Sequence, residues 1–135
     1  MKCNLSESAR AGLISIFVRA VSNAADVDTP GSPQNLAAEW LINKDTHYMC
    51  PQDPKLIQRY VMAVFYFSTR GNRWTQCSAP SNMGNQTAID IANNACSINV
   101  AAGGSNAWLT PGSACGWGGL ACDSNGSIAR IDFRK

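Results

Sequence analysis

The sequence predicts a mainly α-helical domain of three main helices and one short helix, ending in a small two-stranded β-ribbon and stapled by disulfides. Three observations support this fold class. Residues 54–74 carry large apolar side chains at three- and four-residue spacing, which is the period of an α-helix. Residues 129–133 place apolar side chains at every second position, which is the period of a β-strand. The chain has 135 residues and six cysteines, an even number that favours disulfides in a domain with a small core.

The central helix is expected to begin at Pro54, after Asp53 as its N-cap, and to stop at Gly71. Its middle, residues 60–67, is apolar nearly all round, so we expect it to be covered on several sides. At ~24 Å, from a rise of ~1.5 Å per residue, it is too short to cross a bilayer. Its expected core positions are Leu56, Ile57, Tyr60, Val61, Val64, Phe65 and Phe67.

Two helices are predicted before the central one and a short helix after it. The first begins near Ser6 and the second after Ser32, while residues 23–31 and 43–52 are expected to be loops. The short helix spans residues 87–95. The expected inward positions are Leu13, Ile14, Phe17, Val18 and Val21, then Leu36, Ala37, Trp40 and Leu41, and finally Ile89 with either Ile91 or Ala92.

The C-terminal ribbon is predicted from strands at residues 119–122 and 127–133, joined by a turn. On the second strand Ala129, Ile131 and Phe133 share one face, which we expect to rest against the helical part. The last three tryptophans are expected to pin the ribbon to the central helix. The expected core anchors are Trp40, Tyr60, Val64, Phe67, Trp74, Trp108 and Trp117.

The charged and nucleophilic residues argue against several functions. Eleven basic and nine acidic residues give a formal net charge of +2 and form no basic run, so we expect no nucleic-acid partner. Asp45, His47 and Cys50 come closest to a thiol nucleophile with a base, but Cys50 is expected to have a disulfide partner. Paired carboxylates, a phosphate loop and metal-ligand spacing are missing from the sequence, so we expect no enzyme, no cofactor and no metal.

Three N-x-[ST] sequons make Asn4, Asn85 and Asn125 candidates for glycosylation. Together with the cysteines they favour an exported protein in an oxidising compartment, secreted or at the cell surface, with the chloroplast lumen as the alternative. No apolar leader follows Met1, and we expect that one has been omitted from this numbering.

A family resemblance lies in the C-terminal half. Residues 115–122, CGWGGLAC, resemble the C-x-W-x-G-[VI]-x-C signature that closes the N-terminal cap of extracellular leucine-rich repeat proteins. Residues 128–133 are similar to the L-x-x-L-x-L strand of a repeat. Upstream, residues 64–74 resemble the family's aliphatic-x-x-Tyr-x-x-Thr-x-Gly-x-x-Trp element, and Trp108-Leu109 matches its W-L pair. With the longer helical lead-in and the insert at 77–96, the chain most resembles leucine-rich repeat proteins of diatoms and related microalgae.

The resemblance implies a cap, which covers the apolar end of a solenoid core. Its implied partner is the following repeats, or another protein subunit, paired along the last strand. The alternative is that the charged residues of that strand keep its edge solvated. Phe133 replaces the usual leucine and the sequence stops at Lys135, so the concave binding face of the family is not contained in it. The edge positions are Ile128, Arg130, Ile131 and Phe133.

Disulfide pairing follows from the resemblance in part. The family pairs its two signature cysteines, which implies Cys115–Cys122 here. Cys77–Cys96 would close the insert, which leaves Cys3–Cys50, although six cysteines allow fifteen pairings. We therefore expect one domain over residues 1–135, with a helical part at 5–74, a disulfide-closed insert and loop at 75–111, and a cysteine-clasped hairpin at 112–135.

The function expected from these features is that of a non-catalytic structural and protein-interaction module, which caps the repeat solenoid of an exported recognition or adhesion protein. The alternative is a free-standing accessory subunit of a larger cell-surface or chloroplast-lumen assembly, docking through its C-terminal strand.

Overall fold

The computed structural model describes residues 2–98 and 103–132, in which five α-helices precede a two-stranded antiparallel sheet. The predicted fold class, mainly α-helical with a disulfide-stapled β-ribbon near the C-terminus, is confirmed. The elements are α1 (Glu7–Val21), α2 (Ala24–Asp28), α3 (Pro33–Glu39), α4 (Leu56–Ser68), α5 (Gln86–Ala95), β1 (Leu120–Cys122) and β2 (Ile128–Ile131).

The residues group into two compact units, which we call the N-terminal unit (Met1–Thr69) and the C-terminal unit (Arg70–Lys135). The N-terminal unit contains α1 to α4, and the C-terminal unit contains α5 and the sheet. Trp74 was the last residue of the predicted helical part, and it belongs to the C-terminal unit.

Side-chain caps set the starts of the first three helices. Ser6 Oγ accepts from the Ala9 N–H at 3.1 Å and Ser32 Oγ from the Asn35 N–H at 2.9 Å, so both predicted starts are correct. The prediction of a loop over residues 23–31 was wrong, because Asn23 caps the short helix α2. An asparagine followed by two alanines favours one more helical turn even where only Val27 is buried.

The central helix α4 begins and ends differently from the prediction. Asp53 Oδ1 accepts from the Lys55 N–H at 2.8 Å and so closes a turn just before the helix, which begins at Leu56 instead of Pro54. Beyond the end of the helix, the left-handed residue is Arg70, at φ 55° and ψ 54°, and not Gly71. Gly71 instead starts a short 3₁₀ turn.

The N-terminal unit buries narrower helix faces than the periodicity predicts. On α1, Ile14 and Val18 are buried, whereas Leu13, Phe17 and Val21 are exposed, contrary to the prediction. An apolar arc wider than the contacting surface leaves its flanks in solvent. On α3 and α4, six residues expected in the core are not fully buried. Leu36 and Val61 are exposed, and the half-buried ones are Ile57, Val64, Phe65 and Phe67.

The centre of the N-terminal unit is built where α3 packs on α4. Trp40 and Tyr60, both expected anchors, are buried there. The Tyr60 hydroxyl lies 2.8 Å from Ser22 Oγ at the end of α1, and burial raises the pKa of this phenol above its usual value. This hydrogen bond therefore joins the end of the first helix to the central one.

In the C-terminal unit, the short helix α5 begins one residue before its predicted start and is capped by Asn85, whose Oδ1 accepts from the Ala88 N–H at 2.9 Å. Ile89 is buried as predicted and Ala92 is half-buried, but Ile91 is 65% exposed and does not face the core. Ile91 and Ala92 are adjacent apolar residues, and the spacing from Ile89 does not distinguish which of them faces inward, which is why the sequence left both open.

The two strands pair antiparallel, with Leu120 opposite Ile131 and a bulge between Ala121 and Cys122. They are shorter than predicted, and Phe133 lies outside the described residues. Ala129 and Ile131 are both exposed, so the prediction that their face of β2 is covered was wrong. Among the described strand residues the buried side chains come from β1, where Leu120 and Ala121 point to opposite faces of the ribbon and are both buried.

All six cysteines are paired, as Cys3–Cys50, Cys77–Cys96 and Cys115–Cys122. These are the pairs that the sequence favoured. Structural disulfides persist in oxidising compartments, so the three bonds indicate a non-cytosolic location. Cys3–Cys50 ties the segment before α1 to the loop before α4, while the other two lie within the C-terminal unit.

Reduction of the protein is expected to open the N-terminal helices before the β1–β2 hairpin. The bonds span 47, 19 and 7 residues, and loop entropy gives them roughly 4, 3.3 and 2.5 kcal/mol in that order. Hydrogen exchange followed by mass spectrometry, with increasing reductant, measures the order of opening. Faster exchange in the hairpin than in α1 at the first step would contradict this expectation.

Candidate functional site

The segment that resembles the family signature forms a closed turn and strand, which we call the cysteine clasp (residues 115–122). Its disulfide holds the Cα atoms of Cys115 and Cys122 5.7 Å apart. A short 3₁₀ turn opens the clasp, and Ser113 Oγ caps it by accepting from the Cys115 N–H at 3.1 Å. The last three residues of the clasp form β1, so its geometry positions the sheet.

Three tryptophans stack through the interior of the C-terminal unit. Trp117 is fully buried and its ring centroid lies 5.5 Å from that of Trp108, which is also fully buried. Trp74 meets Trp108 edge-on at 5.1 Å and is half-buried. The Trp117 Nε1–H donates to the Thr110 carbonyl at 3.2 Å, and the Trp108 Nε1–H to the Gly118 carbonyl at 2.9 Å. Each buried indole thus satisfies its polar atom within the unit.

A segment that the sequence indicated only as a loop pairs with the clasp. Gly104 and Asn106 each form an isolated bridge with the clasp, to Gly118 and Trp117, and the Gly104 N–H donates to the Leu120 carbonyl at 2.8 Å. A Cβ on Gly104 would lie 2.4 Å from the Gly116 carbonyl carbon, which is too close for any other residue. On Gly118 a Cβ would lie 2.6 Å from Cys77 Sγ, so the clasp also packs against the Cys77–Cys96 bond.

The outer strand of the sheet, β2, carries the expected edge positions. Ala129, Arg130 and Ile131 are exposed, and Ile128 is half-buried. The Asp132 N–H donates to the Gly119 carbonyl at 2.8 Å, which holds the end of β2 on the clasp. The strand therefore presents one large apolar side chain, Ile131 at 40% exposure, beside a cationic one.

The three sequon asparagines all lie at the surface. Asn4 follows Cys3 in a short 3₁₀ turn, Asn85 caps α5, and Asn125 lies in the turn between the strands. Each is exposed, so the side-chain amides are accessible to modification.

Asp45, His47 and Cys50, the residues nearest to a thiol nucleophile with a base in the sequence, have structural contacts in the fold. Cys50 is bonded to Cys3, so it has no thiol. Asp45 is buried and accepts from Arg59, while His47 is exposed and its backbone N–H donates to Asp45 Oδ1 at 3.0 Å. These three residues therefore assemble no nucleophile with its base.

Two buried arginines were missed by the sequence reasoning. Arg10, on α1, donates to the carbonyls of Met49 and Ile42 at 2.9 and 2.8 Å, and its guanidinium lies 3.8 Å from the centroid of the Tyr48 ring. Arg59, on α4, pairs with Asp45 at 2.6 Å. Arginine is mostly a surface residue, so the sequence pattern gives no reason to expect it in the core. The burial of Arg10 and Arg59 depends on carbonyls and a carboxylate that other segments of the chain provide.

Within residues 2–98 and 103–132 no helix is long and apolar enough to cross a membrane. Over the same part of the chain, no group of three or more histidine, cysteine, aspartate or glutamate side chains is placed to hold a metal ion. Comparisons of the chain with protein-family models, with curated proteins and with solved structures found no match.

Proposed function

We propose that this chain is a non-catalytic cap at the N-terminal end of a leucine-rich repeat solenoid, in a secreted or cell-surface recognition or adhesion protein. The observation that supports it most is the cysteine clasp. Of the motif residues, Trp108 and Trp117 are fully buried and pack on each other, and the disulfide of the half-buried Cys115 and Cys122 closes the loop that contains Trp117. The second strand of the hairpin that follows lies at an edge of the sheet. A cap has to provide such a strand for the first repeat.

The exposed side chains of β2 fit this role. Stacked repeats bury a continuous core, so the last strand of a cap carries apolar groups that only the next repeat covers. Ile131 is such a group, since it is 40% exposed although it is opposite the buried Leu120 in the strand register. Another protein subunit paired along β2 would cover the same side chain, which is the accessory-subunit alternative.

The intact mass of the native protein and the reading frame after Lys135 test the proposal. We expect a native mass far above 14.4 kDa and further units of the form L-x-x-L-x-L-x-x-N. A stop codon at that point, with a native mass near 14.4 kDa, would contradict the cap. In that case cross-linking of the native assembly at β2 identifies the partner of an accessory subunit.

Substitution of Ile131 by aspartate in the native-length protein is expected to lower its thermal midpoint, because a charge would then be buried against the first repeat. Ile16→Asp is the matched control, since Ile16 is 61% exposed on α1, in the N-terminal unit, and the midpoint of this variant is expected to change little. Differential scanning calorimetry of the two variants measures the difference. Equal midpoints would contradict a buried Ile131 in the whole protein.

A further inference from the structure

The C-terminal unit contains a groove of about 510 Å³ that the cap function does not use. One wall is α5 and the other is the loop of residues 74–82. The two walls are joined at both ends. At the start of α5 the Asn85 N–H donates to the Asn82 carbonyl at 3.2 Å, and beyond its end the Cys77–Cys96 disulfide closes the other side. The groove therefore runs along the helix, over a length of ~15 Å for ten residues.

The described lining of the groove carries no charge. The fifteen described residues that line it include no aspartate, glutamate, lysine, arginine or histidine, although charged residues make up 15% of the chain. Seven of the fifteen carry neutral polar groups, and these are Thr75, Gln76, Ser78, Ser81, Asn82, Asn85 and Thr87. A charged ligand would lose its hydration here without gaining an ion pair, so the groove favours a neutral ligand.

Three carboxamides in the lining have their orientation fixed by the protein. Asn82 Oδ1 accepts from the Gly84 N–H at 2.9 Å, and Asn85 Oδ1 accepts from the Ala88 N–H. Gln76 Oε1 accepts from the Ser97 N–H and hydroxyl at 3.2 and 2.7 Å. Because each oxygen is held by a backbone donor, each NH₂ group is the end left over, and none of the three donates to another described residue. Since all three residues line the groove, their NH₂ groups are the side-chain amide donors left for acceptor oxygens of a ligand.

An aromatic ring and an aliphatic side chain complete the lining. Trp74 belongs to it, and the edge-on contact with the buried Trp108 holds this indole in place. Ile91, at 65% exposure, stands on the lip of the groove, while Ala88 and Ala92 leave room below it. A ligand that fits has apolar faces as well as many acceptor oxygens.

We propose that this groove binds a neutral oligosaccharide. A sugar ring has an apolar C–H face that packs on an indole, and its hydroxyl and acetamido oxygens accept from amide N–H groups. The elongated shape, with Trp74 near the disulfide end and Asn85 at the other, fits a linear chain of several sugar units. The occupant is a free oligosaccharide, because the side-chain amide of Asn85 serves here as a donor to it, and a glycan linked to that nitrogen would replace one of these N–H groups.

The test uses the chain with its disulfides intact, produced without N-glycosylation and labelled with ¹⁵N. Four probes are added in turn at millimolar concentration, namely the β-1,4- and β-1,3-linked glucose tetrasaccharides, the N-acetylglucosamine tetrasaccharide and a mannose tetrasaccharide. We expect at least one of them to give saturable chemical-shift changes at the side-chain amides of Gln76, Asn82 and Asn85 and at the Trp74 indole. The amide of Gln52, which is exposed in the N-terminal unit, is expected not to shift.

Two variants separate binding from folding. Ala92→Leu fills the floor of the groove without removing a hydrogen bond, and it is expected to weaken binding at least tenfold. Gln76→Leu removes one pair of donors, together with the two hydrogen bonds from Ser97, and is expected to do the same. Gln52→Leu is expected to leave the affinity unchanged. Melting temperatures of all three identify any loss caused by unfolding.

The proposal is overturned if none of the four probes shifts these signals, or if a probe binds equally well to Ala92→Leu. Protein produced in a glycosylating host tests whether a glycan attached to Asn85, and not a free oligosaccharide, occupies the groove. Contacts in that protein between Trp74 and a sugar attached to Asn85, with no binding of free probes to the unglycosylated chain, would assign the groove to the attached glycan and contradict a free ligand.

Discussion

Replacement of Trp117 by alanine is expected to destabilise the C-terminal unit by about 3–5 kcal/mol, the cost typical of removing a fully buried tryptophan. Trp117 has 0% exposure, packs at 5.5 Å on Trp108 and donates its indole N–H to Thr110. Removal of the ring leaves a cavity at the centre of the cysteine clasp, between the strand and the tryptophan stack. Urea unfolding followed by circular dichroism, with hydrogen exchange at the Leu120 amide, measures the loss.

The control for this substitution is Ile91→Ala in the same unit. Ile91 is a large apolar residue at 65% exposure, so its truncation is expected to change stability by no more than ~0.5 kcal/mol. An unchanged unfolding midpoint for Trp117→Ala would refute the burial of this side chain. Equal losses for the two variants would show that the clasp is not the stabilising centre of the unit.

Local chemistry explains why several features could be predicted from the sequence. The caps at Ser6 and Ser32 depend on a side-chain oxygen and an N–H three residues later, a relation contained in a short stretch of chain. The clasp depends on two cysteines seven residues apart around a tryptophan. In both cases the residues that interact are close in sequence, so their spacing carries the information.

The buried faces could not be predicted to the same degree. Helix α1 carries apolar residues over a wide arc, and the period identifies that arc without stating which part meets another element. Ile14 and Val18 face the core, whereas Leu13 and Phe17, on the flank of the same arc, remain exposed. The choice is made by the position of the other helices, which no local pattern encodes.

The groove and the pairing of residues 104–106 with the clasp were missed for a related reason. Gly104 is required because the Gly116 carbonyl carbon lies within 2.4 Å of where its Cβ would be, but in the sequence it indicates only a loop. The lining of the groove follows no period, since the loop at 74–82 is placed opposite α5 by the Cys77–Cys96 bond. Both the groove and the pairing with the clasp depend on contacts between residues that are far apart in sequence.

Replacement of Arg59 by methionine is expected to destabilise the N-terminal unit by about 3–5 kcal/mol, because it leaves the carboxylate of Asp45 buried without its countercharge. Arg59 Nε lies 2.6 Å from Asp45 Oδ2 and Nη2 lies 2.9 Å from Oδ1, with side-chain exposures of 3% and 0%. Methionine keeps most of the aliphatic stem, so the packing of α4 is largely retained. Urea unfolding at neutral pH measures the change.

The double variant Arg59→Met with Asp45→Leu separates the loss of a charge partner from the loss of packing. A buried ion pair replaced on both sides by apolar groups is often neutral in stability, so the double variant is expected to recover most of the loss of the single one. The exposed pair of Arg19 and Asp28 is the control, since Arg19→Met leaves Asp28 in solvent and is expected to change the unfolding midpoint only slightly. A double variant as unstable as the sum of its two single variants would show that packing around Arg59 and Asp45, and not their charges, stabilises this part of the fold.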